Sequence, residues 1–156
     1  MSKTYPVHAI SAVGCVLIRN DEILLVKRKY PPAEGYWAIP GGVIESSELI
    51  YEAARRELEE ETGLKAEPLG VIALADVLFR EGCRVKYRYV IVEVLFDPTS
   101  ITGSLKPGEE VLDVRWMNIK DVVNRNDITR STRKLVESIL NGNYSFIKII
   151  QVVVDK

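Results

Sequence analysis

The segment Arg55-Arg56-Glu57-Leu58-Glu59-Glu60-Glu61 sets three carboxylates, Glu57, Glu60 and Glu61, three and four residues apart. On a helix, at about 100° per residue, these three share an arc of about 100°. Ile50, Ala54 and Leu58 form the adjoining stripe, while Glu52, Arg55 and Glu59 point the other way. The acidic arc therefore borders the face that such a helix would bury. Crowded carboxylates repel one another, and moving them toward a core raises the cost unless a cation sits among them. Carboxylate oxygens select hard cations. An incomplete protein shell with room for water and phosphate suits Mg²⁺, or Mn²⁺ in its place. The other reading at this level is a solvated helix face laced by Arg55, Arg56 and Glu52. Helix geometry alone leaves both open.

The residues before this segment bear on the choice. The Gly41–Gly42 pair lets backbone come close to a ligand, and a free carbonyl there can join a metal shell. Glu48 stands eight residues before Arg56. That is just over two helical turns, so an ion pair needs favourable side-chain geometry; a contact with the helix dipole is the simpler alternative.

Several elements must position these groups. Residues 9–18 read as a buried strand closed by Arg19-Asn20-Asp21, and 22–29 as its hairpin partner. Prolines and glycine make 30–35 a loop. A short extended piece follows, broken at Pro40-Gly41-Gly42. The helical period starts at Ser47, with Ser46 or Ser47 as N-cap, and stops at Gly63, where a left-handed residue is expected. Strands at 70–79 and 84–96 flank a hairpin at Arg80–Cys83, and a polar loop leads into a core strand, Val111–Asn118. Helices are expected at 118–124 and 129–140, the second capped by Asp127 or Thr129. The apolar tail, 143–156, reads as an extra strand that either joins the chain's own sheet or pairs across a homodimer. Strands on both sides of one central helix predict an α+β fold, a mixed β-sheet with helices packed on it, in one domain over 1–156.

With 156 residues, 47% hydrophobic and 28% charged, and a formal net charge of −1, the chain has the composition of a soluble globular protein. That charge exerts no general pull on nucleic acid or anionic membrane, and no basic stripe is interleaved with aromatics. The first ten residues lack the apolar run of a secretory signal, and no apolar stretch reaches the length of a membrane span. Cys15 and Cys83 form no CxxC pair and both read as buried, reduced thiols. These features suit the cytoplasm, with a small-molecule partner.

Gly42, five residues, Glu48, seven residues, then Arg56-Glu57-Leu58-Glu59-Glu60-Glu61-Thr62-Gly63-Leu64 resembles the Nudix box, GX5EX7REUXEEXGU, with every specified position filled. "EILLVKRK", "GYWAIPGG" and "EEVLDVRWMN" are also similar to that family's strands and the loop before the box. The resemblance covers about residues 9–125. It implies the family's α/β/α sandwich and the hydrolysis of a nucleoside diphosphate linked to another group. Carried over by position, Glu57, Glu60 and Glu61 match the metal-binding carboxylates, supplemented by the Gly41 or Gly42 carbonyl. Glu48 and Arg56 match the box residues that support the loop–helix–loop geometry. The base in this family is a box glutamate, Glu57 or Glu60 here, or an acid on a later loop; Glu110, beside Glu109 and shortly before Trp116, is that acid here. Glu93 alternates with apolar neighbours and is expected to face outward.

Among Lys27, Arg28 and Lys29, Arg28 matches the family's strand arginine and is the expected phosphate contact. Tyr36, Trp37 and Phe79 offer rings to stack on a base, with core packing as the other role, above all for Trp37. "KYRYVIVEVLF" and "GSLKPGEEVLDVRWMN" resemble the ADP-ribose branch, although Leu78, Phe79 and Arg80 stand where that branch carries a proline. ADP-ribose or a related nucleotide sugar is the expected substrate, with a MutT-like nucleoside triphosphate pyrophosphohydrolase as the alternative. A non-catalytic nucleotide sensor would have lost box carboxylates, and none is missing here.

Overall fold

The computed structural model describes residues 2–155. Its central sheet has the strand order β5 (Gly41–Val43), β1 (Ile10–Val16), β8 (Arg84–Phe96), β7 (Pro68–Glu81). β1 runs parallel to β8, and the other two pairings are antiparallel, so the sheet is mixed as expected. β1 is buried at every position except Ser11. That continuous apolar run is the signature of a strand covered on both faces.

The two covers differ. Val13, Cys15 and Leu17 pack with Ala53, Ala54 and Leu58 of α1 (Ile50–Thr62). Val16 and Ile72 pack on the opposite face with Leu135 and Val136 of α3 (Arg130–Leu140). The result is the expected α+β sandwich.

A second, antiparallel sheet has the order β10 (Val111–Asn118), β3 (Glu22–Arg28), β2 (Ile18–Arg19), and β4 (Trp37–Ala38) also pairs with β3. The first expected hairpin is accordingly much shorter than read from the sequence. The turn at Asn20–Asp21, both at positive φ, joins β3 to the two-residue β2 only, and β10 is the long partner of β3. β6 (Leu64–Lys65) and β9 (Thr102–Gly103) form a two-stranded ladder, and α2 spans Ile119–Val122.

Three further expectations need correction. Helix α1 starts at Ile50 and not at Ser47, because Ser46–Ser47 form a turn. One carboxylate caps the helix, Leu49 N donating to Glu52 Oε1 at 3.3 Å, while Glu45 N donates to Glu48 Oε1 at 2.8 Å in the loop before it. The far end is as expected, with Gly63 at φ 75°. Cys83 is exposed, since it sits in the Gly82–Cys83 turn between β7 and β8; Cys15 is buried. The tail is not a strand over its described part, Lys156 lying outside the described residues. Ile147 makes one bridge to Val71, and Phe146 lies on Gly70, but Ile150 and Val152–Val154 are exposed. β7 presents its free edge there, and alternating apolar residues alone do not supply the pairing.

Candidate active site

Helix α1 packs across β1 and β5 so that its acidic arc meets the Gly41–Gly42 strand, as its position beside the buried stripe predicts. Glu61, 8% exposed, accepts the Gly41 N–H on Oε1 at 2.7 Å. Glu57 lies against Gly42, where a Cβ would fall 2.4 Å from Glu57 Oε1. A side chain there would push the Glu57 carboxylate aside. Burial raises the Glu57 carboxyl above its usual range even though Arg56 pulls the other way. Burial pushes the Glu61 carboxyl up to about 8, and the neighbouring Glu57 and Glu110 add to the rise.

Arg56 organises the loop before the helix. Its Nε and Nη2 fork onto Glu48 at 2.9 and 2.6 Å, and Nη2 also reaches the Val43 carbonyl at 3.1 Å. Nη1 donates to Glu57 at 2.8 Å and to Glu60 at 3.2 Å. The pairing works across eight residues because Glu48 precedes the first helical turn and folds back over it. Arg56 holds the Glu48 carboxyl below its usual range.

These groups line one cleft of about 640 Å³, a size ordinary for a small-molecule site. Glu57, Glu60, Glu61, Gly41 and Gly42 lie along it, with Glu110 on the loop before β10. Arg28 reaches it from the end of β3, its Nε bound to the Pro32 carbonyl at 2.6 Å. Phe79 stands at the wall, edge-to-face with Tyr87. Lys29 donates to the Glu109 carbonyl at 3.0 Å and ties the Glu110 loop to β3. Trp37 is not on this wall. It is buried in the core under α3, with the Arg115 guanidinium over its ring, so the core role replaces base stacking. Tyr36 is exposed and lies outside the cleft.

Among the described residues no three acids already stand as a closed metal shell. Arg56 and the Gly41 N–H occupy the carboxylates that would form one. The donor chemistry still fits a hard cation: two desolvated carboxylates with raised affinity for protons, a third beside them, and a backbone strand that only glycine allows so close.

Glu93 corrects the sequence reading most. It is 3% exposed, lines the cleft, and its buried Oε2 has no hydrogen-bond partner. Strand alternation misled because β8 lies between β1 and β7 in a sheet covered on both faces. The signal was present in "VIVEVLF", a run too apolar on both faces for a solvated acid. Tyr89, also on the cleft wall, carried no sequence signal, and Thr129 carried only that of a helix N-cap, which it is for α3.

Comparison with known proteins agrees with this geometry. The NUDIX domain family matches residues 8–139. An ADP-ribose pyrophosphatase of Methanocaldococcus jannaschii is 30% identical over 74% of this chain, the match spanning 65% of that protein. A nucleoside triphosphatase, NudI, of Escherichia coli is 32% identical over 78% of this chain and 91% of its own length. The structure of a bifunctional NMN adenylyltransferase/ADP ribose pyrophosphatase from Francisella tularensis, complexed with AMP and a manganese ion, superposes with a TM-score of 0.69 at 25% identity. That match covers 87% of this chain and 42% of that one. A complete box on a helix that borders the core, and a fold and sequence matched over most of the chain, have one explanation: the protein belongs to the NUDIX family.

Proposed function

We propose that this single-domain protein hydrolyses the phosphoanhydride of a nucleoside diphosphate linked to another group, with ADP-ribose or a related nucleotide sugar as substrate and Mg²⁺ (or Mn²⁺) as cofactor. The observation that carries the reading is the convergence of Glu57, Glu60, Glu61, Arg28 and Glu110 on one cleft. The similarity to ADP-ribose pyrophosphatases, one of them complexed with AMP and manganese, supports the substrate and the metal.

In this reading Glu57, Glu60 and Glu61 hold the cation, with the Gly41 or Gly42 carbonyl beside them. When bound, the cation neutralises diphosphate charge and lowers the pKa of a water. Arg28 binds a phosphate oxygen and fixes the diphosphate along the strand. Water attacks phosphorus, the bridging P–O bond breaks, and a carboxylate takes the proton. In this reading Glu110, on its exposed loop beside the cleft, takes the proton, with a box glutamate as the other base. Arg56 and Glu48 position the carboxylates, and Phe79 offers a ring to the base.

A second reading, nucleoside triphosphate pyrophosphohydrolase, is favoured by the NudI match over nearly the whole of that relative. Products separate the two: AMP and ribose 5-phosphate from ADP-ribose, or a nucleoside monophosphate and pyrophosphate from a triphosphate. A panel of ADP-ribose, NADH, nucleoside triphosphates and diadenosine polyphosphates with Mg²⁺, with products identified, tests both. Turnover of none of them would overturn the enzymatic reading and leave the sensor. No helix among the described residues is long and apolar enough to cross a membrane; we place the protein in the cytoplasm, acting on a small nucleotide and not on nucleic acid.

A further inference from the structure

The cleft has a second polar end that the hydrolytic chemistry does not use. Glu93 of β8 lies in register with Gly14 of β1, and Gly14 in turn with Gly41 of β5. Two strand spacings, roughly 10 Å, therefore separate Glu93 from the glycine strand at the box. A Cβ at Gly14 would fall 2.1 Å from Glu93 Oε2 and 2.7 Å from Ile39 Cδ1, so the carboxyl lies directly over the space that this glycine leaves. Burial alone pushes this carboxyl up to about 8, whereas the Glu61 carboxyl also responds to Glu57, Arg28 and Glu110. Glu93 thus stands apart from the charged cluster.

Thr129, just before α3, lines the same cleft, and its buried Oγ1 also lacks a partner. Among the described residues these are the two buried side-chain polar atoms without a hydrogen bond, and both belong to this cleft. Leaving each unpaired is unfavourable, a cost that a bound ligand removes. Ala12, Ile39 and Ile91 give the surrounding wall an apolar surface. An apolar wall with two polar groups suits a planar, hydrogen-bonding ring better than a sugar.

We propose that Glu93, together with Thr129, hydrogen-bonds the edge of the substrate's nucleobase. The inference rests on the nucleotide reading of the cleft. Held neutral by burial, the carboxyl offers one donor and one acceptor. That pair matches any base edge that sets one donor beside one acceptor, the amino group and ring nitrogen of adenine or cytosine and equally the ring N–H and carbonyl of guanine or uracil.

The test is metal-free titration calorimetry of the full chain with AMP, CMP, GMP, UMP and ribose 5-phosphate, alongside kcat/KM for the matching nucleoside diphosphate sugars. The wild type should bind at least one of the four nucleotides at least about tenfold more tightly than ribose 5-phosphate, which has no base edge to pair. Glu93→Leu should cut that ratio to about threefold or less. Glu93→Gln, which keeps one donor and one acceptor, should preserve it. Thr129→Val, which leaves the backbone bonds of that residue intact, should lower it in part.

An equal weakening of the nucleotides and of ribose 5-phosphate in Glu93→Leu, or an unchanged ratio, would overturn the inference. So would failure of the wild type to bind any nucleoside monophosphate. Absence of hydrolysis with base-dependent binding retained would overturn the proposed reaction and leave the role of Glu93 standing.

Discussion

Replacing Arg56 by Met removes the one side chain that reaches Glu48, Glu57 and Glu60 together. Methionine has nearly the helix propensity of arginine, so the change isolates the charge and the fork. The side chains of Glu48 and Glu57 are 10% and 13% exposed, and that of Arg56 is 24% exposed. Breaking a fully buried ion pair by removing one partner costs about 3–5 kcal/mol, and an exposed pair about 0–1 kcal/mol. A site this covered but open on one side falls between, at about 2–3 kcal/mol. For a chain of this size that is a loss of roughly 4–12 °C in Tm.

The sign of the pH dependence follows from Glu48. Its folded-state carboxyl is held below its usual value of 4.5, so its stabilising contribution is present above that value and is lost as the pH falls through the folded-state value. Thermal and urea unfolding in EDTA at pH 7 and pH 4 would measure both effects. The penalty should be full at pH 7 and should shrink at pH 4, and a double-mutant cycle with Glu48→Gln should return a coupling of about 1–2 kcal/mol. A penalty under about 0.5 kcal/mol at pH 7, or strict additivity with Glu48→Gln, would refute the reasoning.

Other predictions concern the same cleft and the tail. Glu61 and Glu93 have folded-state carboxyls pushed up to about 8 from 4.5. The metal-free protein should therefore lose stability as pH rises from 4.5 toward 8, by up to about 1.4 kcal/mol per pH unit per group; Glu93→Gln should flatten that slope in urea melts, and an identical slope would count against burial as the cause. Gly42→Ala places a methyl group 2.4 Å from Glu57 Oε1; we expect about 1–3 kcal/mol of destabilisation and weakened Mn²⁺ binding, and unchanged affinity by electron paramagnetic resonance would refute the contact. Truncation after Tyr144 should reduce the mass in solution by half if the exposed tail pairs two copies; a soluble protein of unchanged mass would remove the dimer role.

The sequence carried the box and its helix because both follow from short-range spacing. Carboxylates at three and four residues, a glycine pair before them and Gly63 after them define one helix and one loop. The apolar run of β1 likewise shows that both sheet faces are covered. What it did not show depends on contacts distant in the chain. Whether Ser47 or Leu49 precedes the helix is decided by the Glu52 carboxylate on Leu49 N and by Glu48 holding the preceding loop at Glu45. Trp37 enters the core because β4 pairs with β3 beneath α3. Glu93 faces the cleft because β8 lies inside the sheet, and that placement comes from the pairing of β1 with β8 across more than seventy residues. The tail looked like a strand from composition, but a strand needs a partner along its length, and β7 offers Ile147 a single bridge.

The central claim is that the acidic arc of α1 holds the cation that drives phosphoanhydride hydrolysis. Comparing ADP-ribose turnover by the wild type and by Glu60→Gln at saturating Mg²⁺, with folding checked by circular dichroism, tests it most directly. The wild type should release AMP and ribose 5-phosphate, and a folded Glu60→Gln should lose Mg²⁺-dependent turnover. Near-normal turnover in that variant would contradict it.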